Sequence, residues 1–347
     1  MTATAGSTAA HSVAEQAAKR TTAAAAISGA KPTYSKPVTE FWQKHLTEQS
    51  RDGWYKKAID YWDQQEASVN GVLGGFGHTS AQDLRESKRL LQILKGRKDL
   101  SMEFNTVLDC GAGIGRISNG LLLQEFKAVD LLEPCQKLFN QAKKENAEKI
   151  RFFFQKSLQN FQFSVEEIDG ASCGGTGVTT LSSAATTSAT SPSASATSGM
   201  NNSTSTSSST AAPPAAAALG INDKIRELSS TSLQYDCIWN QWVLLYLTDD
   251  DLITYLQKCQ RQLTKPGGFM FVKENVLLPP AGSVDRSHPA WTKYEKGMEI
   301  DEDDNGVTRS DDRYRELFEK AGLELICAVK QANWPKDLYP IYMYVLR

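Results

Sequence analysis

Thr106-Val107-Leu108-Asp109-Cys110-Gly111-Ala112-Gly113-Ile114-Gly115-Arg116 is the stretch on which the reading of this chain turns. An apolar run enters a glycine-rich turn, and the turn leads into a helical pattern from Ile117 to Phe126. In α/β proteins that succession holds a nucleoside-type ligand at the carboxyl end of the first strand. The spacing narrows the ligand further. The dinucleotide fingerprint is Gly-x-Gly-x-x-Gly, which seats a pyrophosphate on the helix N-terminus. Here the third glycine arrives one residue early, and the carboxylate of Asp109 precedes the first. An acid in that place suits a ligand bearing an ammonium group, so S-adenosylmethionine is the expected cofactor. The alternative, on this stretch alone, is a tight strand-to-helix turn with no ligand.

Working outward, the rest of the chain reads as an alternating β and α series. Strand one is expected over Thr106–Asp109, strand two over Ala128–Leu132, and strand three over Arg151–Phe154. A helix covers about Gln136–Glu145 between the second and third. Strand four, Tyr235–Trp239, precedes a helix capped by Thr248. Asp249, Asp250 and Asp251 in its first turn read as partners of the helix dipole and not as a site. Pro266-Gly267-Gly268 turns into strand five, Phe269–Lys273. A helix over Arg313–Lys320 ends at Gly322, and Leu323–Val329 with Tyr342–Leu346 reads as a closing antiparallel pair. Upstream, Val38–Glu66 is one helical pattern, residues 71–78 form a glycine-rich loop, and Ser80–Leu94 is an amphipathic helix. The expected fold is therefore α/β and Rossmann-like: a seven-stranded, mostly parallel sheet with helices on both faces and an N-terminal helical extension. That is the class I methyltransferase arrangement.

Composition bounds this further. The chain has 347 residues, 38 basic and 40 acidic, for a net charge of −2. There is no global basic surplus of the kind that marks nucleic-acid binders, so none is expected as a partner. Residues 171–220 carry no charged and no aromatic side chain. Such a segment cannot bury enough apolar surface to offset its ordering entropy. It reads as a low-complexity insert over about 165–231, between strands three and four, within one domain spanning 39–347. Residues 1–38, rich in Ala and Thr, read as a disordered tail; their few basic residues give only a faint likeness to a transit peptide. The six cysteines contain no Cys-x-x-Cys pair and the four histidines show no metal-ligand spacing, so no metal is expected. No run approaches the roughly 18 apolar residues of a membrane span. Cytoplasm and nucleus are the expected compartments; oligomeric state is left open.

A second block is distinctive. Tyr235-Asp236-Cys237-Ile238-Trp239-Asn240-Gln241-Trp242 ends strand four with a Gln-Trp pair, unusual among methyltransferases. Together with Val72–His78, Leu108–Ile117, Lys273-Glu274-Asn275 and the closing Leu338-Tyr339-Pro340-Ile341-Tyr342, it resembles the eukaryotic protein α-N-terminal methyltransferases. The resemblance runs from about Tyr61 to Arg347, the insert excepted. It implies methylation of the free α-amine of proteins that begin X-Pro-Lys. It also implies S-adenosylmethionine held by Trp62 (with Tyr61), Gly111, Arg116, Glu133, Leu158, Gln159 and Gln241. For the peptide it implies Leu73 and Gly74 in a covering loop, with Trp242, Asn275, Asp301, Asp304 and Tyr339 in the site. Residue chemistry agrees with those roles. Arg116 suits the methionyl carboxylate, and Glu133, at the end of strand two, suits the ribose hydroxyls. Asp304 is the expected acceptor of the amine's proton, with Asn275 beside it. Asp301 would attract the third-position Lys, and Trp242 offers a flat wall to the proline ring. On charge pattern alone Asp301-Glu302-Asp303-Asp304 reads as a solvated acidic loop, and Trp54 and Trp239 read as core.

The chain departs from the family pattern at several places. Tyr246 stands where many members carry His, and a phenol with a pKa near 10 is a poor base at neutral pH. Gly306 replaces an expected Ser, Pro134-Cys135 follows Glu133 in place of Ile-Thr, and the stretch between Asn275 and Asp301, with His288-Pro289-Ala290-Trp291, is long. The alternatives kept open are methyl transfer to another protein or small-molecule nitrogen, and a non-catalytic S-adenosylmethionine-binding scaffold.

Overall fold

In the computed structural model the described residues are 35–48, 50–169, 231–280, 294 and 296–347. The expectations for the tail before residue 35, for the insert from 170 to 230, and for His288–Trp291 lie outside them.

The sheet grows from β1 (Thr106–Cys110), whose successive residues Val107 and Leu108 are buried in cores on opposite faces. Parallel neighbours follow on either side: β2 (Ala128–Leu132) and β3 (Phe153–Phe154) on one, β4 (Cys237–Gln241) and β5 (Phe269–Leu277) on the other. Then β9 (Ile341–Leu346) pairs antiparallel with β5, and β8 (Leu325–Lys330) pairs antiparallel with β9. The five parallel strands are buried on both faces, as parallel strands under two helical layers must be, while the edge strand β8 is only half-buried. On one face lie α3 (Ser80–Gly96) and α5 (Gln136–Asn146), through Leu90, Leu91, Phe139 and Ala142. On the other lie α6 (Asp249–Arg261) and α7 (Asp311–Lys320), through Leu252, Tyr255, Tyr314 and Leu317. The order β3-β2-β1-β4-β5-β9-β8 is the expected seven-stranded sheet.

Two further strands make nine among the described residues. β6 (Met298–Asp301) and β7 (Gly306–Ser310) form an antiparallel hairpin, and β7 runs parallel to the far end of β5 through Val276 and Leu277. Strand five is therefore longer than the expected Phe269–Lys273, because its last residues have a partner that lies far along the chain. The acidic run read as a possible solvated loop is the tip of this hairpin.

Other corrections are local. The expected single helix Val38–Glu66 is two, α1 (Ser35–Glu48) and α2 (Arg51–Gln64). Ser50 breaks it: its backbone is extended and its hydroxyl accepts from Gly53 N, an N-cap that restarts the helix. The helical part therefore begins at Ser35, before the expected tail boundary at 38. Residues 165–169, expected inside the insert, belong to the fold: Ile168 is buried and Asp169 N donates to Phe153 O. The segment after the glycine turn is helical, but opens as a π-type turn over Ser118–Leu122 before α4 (Leu123–Glu125). Thr248 caps α6 as expected, accepting from Asp251 N. Its acids do more than meet the dipole. Asp249 pairs with buried Arg309 and Arg313, and Asp251 pairs with Tyr55 and Arg51, which binds α2, α7 and the hairpin to α6.

Candidate active site

A cavity of about 970 Å³ opens where the carboxyl ends of β1, β2, β4 and β5 meet α2, the 71–77 loop and the β6–β7 hairpin. That is the crevice in which open α/β sheets hold ligands. Its volume lies at the upper end of ordinary ligand sites.

The glycine turn forms its floor. Gly111, Gly113 and Gly115 all have positive φ, at 65°, 57° and 80°. Gly111 is the tightest: a Cβ there would stand 2.4 Å from Val243 Cγ2. What requires a glycine here is the packing of the turn after β4 on the turn after β1. Asp109 is buried, its Oδ2 accepting from Ser118 N and Oγ at 3.1 and 2.7 Å, and burial pushes its pKa up to about 6. Glu133 accepts from Gly113 N through Oε2 at 2.7 Å and from Cys135 N through Oε1 at 2.8 Å. Burial pushes its pKa up to about 7 against those two donors. Glu133 thus ties the end of β2 to the glycine turn while still lining the cavity. Leu158 and Gln159 line it from the loop after β3, where Lys258 Nζ holds the Gln159 carbonyl at 3.0 Å.

Arg116 and Gln241 line the cavity too, but both are anchored by a residue the sequence did not single out. Asp83, on α3, is fully buried; it accepts from Arg116 Nη1 at 2.9 Å and from Gln241 Nε2 at 2.9 Å. Lys273 Nζ lies 2.5 Å from its other oxygen. Burial alone would raise the pKa of Asp83; Lys273 and Arg116 overcome it and hold the carboxyl below its ordinary value. Arg116 is the cation that this part of the wall presents to the cavity, held from behind by Asp83. An acid in the first turn of an amphipathic helix reads as a dipole partner, so nothing local marked Asp83.

The opposite wall is acidic. Asp304 and Asp301 come from the hairpin, with Glu299, Glu302 and Asp337 beside them in the lining. Asp304 is buried: Oδ1 accepts from Gly306 N at 2.7 Å and Oδ2 from the Tyr246 hydroxyl at 2.9 Å. Its pKa is raised, chiefly by burial. Asp301 is exposed and accepts from Asp303 N at 2.9 Å. Tyr339 donates to Glu299 at 2.9 Å, an acid the sequence did not single out because the strand that carries it is only four residues long. Asn275, on β5, faces the cavity, and its side chain makes no hydrogen bond among the described residues. Trp242 has φ 53°, a left-handed conformation that is unusual for a large residue. Glu274 holds the turn that follows, accepting from Val243 N and Leu244 N at 3.0 and 2.8 Å, with its pKa pushed up to about 8 by burial. Leu73 and Gly74 line the cavity from the glycine-rich loop, and Trp62 from α2. Tyr61 does not: it lies in a separate surface groove and only packs edge-on against Trp62. Trp54 and Trp239 are core, the latter stacked on Phe271 with ring centroids 3.7 Å apart.

Among the described residues the cavity thus carries seven carboxylates, of Asp109, Glu133, Glu299, Asp301, Glu302, Asp304 and Asp337, against the single cation Arg116. A cavity so lined favours cationic ligands with one anionic end.

Comparison with known proteins agrees. A family model described as "AdoMet dependent proline di-methyltransferase" matches residues 50–169 and 215–347. The chain belongs to this family. It is a methyltransferase dependent on S-adenosylmethionine. Among its relatives, "Alpha N-terminal protein methyltransferase 1" of Dictyostelium discoideum is 28% identical over 89% of this chain and 86% of its own length. "N-terminal Xaa-Pro-Lys N-methyltransferase 1-B" of Xenopus laevis is 28% identical over 84% of this chain and 95% of its own. A solved Leishmania major structure, a SAM-dependent methyltransferase, superimposes with a TM-score of 0.60 at 28% identity, covering 89% of this chain and 91% of that one.

Proposed function

We propose that this family member methylates the α-amine of proteins that expose an X-Pro-Lys N-terminus. The observation that carries the proposal is the charge layout of the cavity, acidic on the acceptor side and relieved only at Arg116. S-adenosylmethionine fits that layout: its sulfonium and ammonium would meet acids, and its carboxylate would meet Arg116. When bound, it supplies an electrophilic methyl group, and Gly111, Arg116, Glu133, Leu158, Gln159, Gln241 and Trp62 are the residues that would hold it. An N-terminal peptide with a basic third residue is the matching cation.

The protein's own work is positioning, desolvation and proton removal. An α-amine has an ordinary pKa near 7.7–8.0 and must be neutral to attack. Asp304, buried and fixed by two hydrogen bonds, accepts its proton; Asn275 holds the amine or the adjoining carbonyl. Trp242 faces the proline ring, and Leu73 and Gly74 cover it. Asp301, with Glu299 and Tyr339 near the mouth, attracts the third-position Lys. In-line transfer in so confined a site draws much of its acceleration from orientation.

Incubating the purified protein with S-adenosylmethionine and an X-Pro-Lys peptide, and following mass, tests this. Successive methyl additions are expected. They are lost when the peptide N-terminus is acetylated, and fall at least about a hundredfold in Asp304→Asn, with cofactor affinity unchanged. Modification of the acetylated peptide would instead point to a side-chain nitrogen, and cofactor binding without turnover to a scaffold.

A further inference from the structure

The hydroxyl of Tyr246 lies between two groups that together leave it one role. The Trp62 indole Nε1–H is a donor only, and it lies 2.8 Å from Tyr246 Oη. The phenol oxygen therefore accepts there. Its single proton is left for Asp304 Oδ2 at 2.9 Å, while Gly306 N holds Oδ1 at 2.7 Å. The backbone of Tyr246 is held as well: its carbonyl accepts from Trp54 Nε1 at 2.9 Å and its N–H donates to Val243 O at 3.3 Å. Both indoles come from α2, two helical turns apart, so the helix that walls the cavity near the glycine turn reaches the hairpin acid through one phenol.

We propose that Tyr246 is a positioning residue, whose hydroxyl takes its orientation from Trp62 and directs its only proton to Asp304, fixing the carboxylate that receives the proton of the substrate amine. This rests on the amine methylation proposed above and adds the device that sets the acid. Tyr246 is no base itself, since burial and then Asp304 push its pKa well above the usual value. The charged and titratable groups around Asp304 are mostly acidic: Asp301 and Asp303 on its own hairpin, Glu274 on β5 and Tyr61 on α2, with Lys57 of α2 engaged by the Glu302 carbonyl and Lys56 paired with Asp60 in the groove beside Asp303. In that setting a donated proton favours the ionised carboxylate, and its removal leaves the acid harder to ionise.

The test uses the full-length chain, with Tyr246→Phe, Trp62→Phe and Asp304→Asn. With peptide and S-adenosylmethionine both saturating, Tyr246→Phe lowers kcat at pH 7 by about tenfold or more, and moves the acid limb of the kcat profile to higher pH. Both KM values stay within about threefold. Trp62→Phe shifts the same limb less, because the phenol keeps its proton but loses its orientation. Independently of turnover, the Trp62 indole N–H resonance, assigned with Trp62→Phe, shifts as Asp304 titrates in the wild type. It does not in Tyr246→Phe or Asp304→Asn. Wild-type kcat and an unmoved acid limb in Tyr246→Phe, or an indole that still titrates there, overturns the proposal. If the wild type fails to methylate the peptide, the function proposed above falls, and the indole titration still decides the role of Tyr246.

Discussion

Replacing Asp83 by Asn asks whether charge holds the wall behind Arg116. In the native protein Lys273 is fully buried and lies 2.5 Å from Asp83, its nearest counter-charge, with further hydrogen bonds to Asp83 O at 3.0 Å and Ser87 Oγ at 2.9 Å. Asn keeps the shape and an acceptor oxygen but removes the charge. Breaking a buried pair from one side costs about 3–5 kcal/mol, because the remaining ion stays out of water. For a domain of this size each kcal/mol is roughly 2–4 °C, so Tm falls by about 6–20 °C. The defect also has a pH signature. Burial already lowers the pKa of Lys273 against the pull of Asp83, and Asp83→Asn removes that pull. The folded lysine then loses its proton while the unfolded one keeps it to a pH of about 10.4. Between those values the unfolded state binds more protons, so the variant regains stability as pH rises. Urea midpoints at acid, neutral and alkaline pH, with unchanged m-value, measure this. Adding Lys273→Met is expected to restore most of the loss. A loss under about 1 kcal/mol, or one that neither varies with pH nor responds to Lys273→Met, refutes the reasoning.

Glu274 carries the opposite slope. Its folded pKa of about 8 lies above the unfolded value, so the native state keeps a proton that the unfolded state releases, and stability falls as pH rises from about 4.5 to 8. Glu274→Gln preserves the acceptor for Val243 N and Leu244 N; it removes that slope, and is the more stable protein at pH 8.5 by on the order of 2 kcal/mol in denaturant titration. Gly111→Ala forces a Cβ into Val243 at a left-handed φ, costing about 2–4 kcal/mol and weakening S-adenosylmethionine at least about tenfold by calorimetry. The acidic cavity makes kcat/KM for an X-Pro-Lys peptide fall several-fold as salt rises from about 50 to 500 mM, with a flatter response for X-Pro-Gln.

What could be read along the chain was whatever local chemistry decides. Thr248 starts one helix and Gly322 closes another by capping, and the strand over Ala128–Leu132 lies where its apolar run put it. The 298–310 hairpin could not be read that way, because the alternation Met298-Glu299-Ile300-Asp301 is only four residues long and the partner of β7 is the distant end of β5. Nor could the break at Ser50, where a cap interrupts a pattern whose periodicity runs on. All the residues expected to form the site do line one cavity, Tyr61 excepted.

The sequence by itself determined the turn at Asp109–Arg116, since three left-handed positions in five residues demand glycine whatever surrounds them. Through its spacing it also determined the kind of cofactor. Only the tertiary structure decided which charges in the site are already committed. Asp83 meets Lys273 across 190 positions of chain and Trp62 meets Tyr246 across 184. The state of a buried charge depends on such neighbours, and no periodicity or motif records who they are.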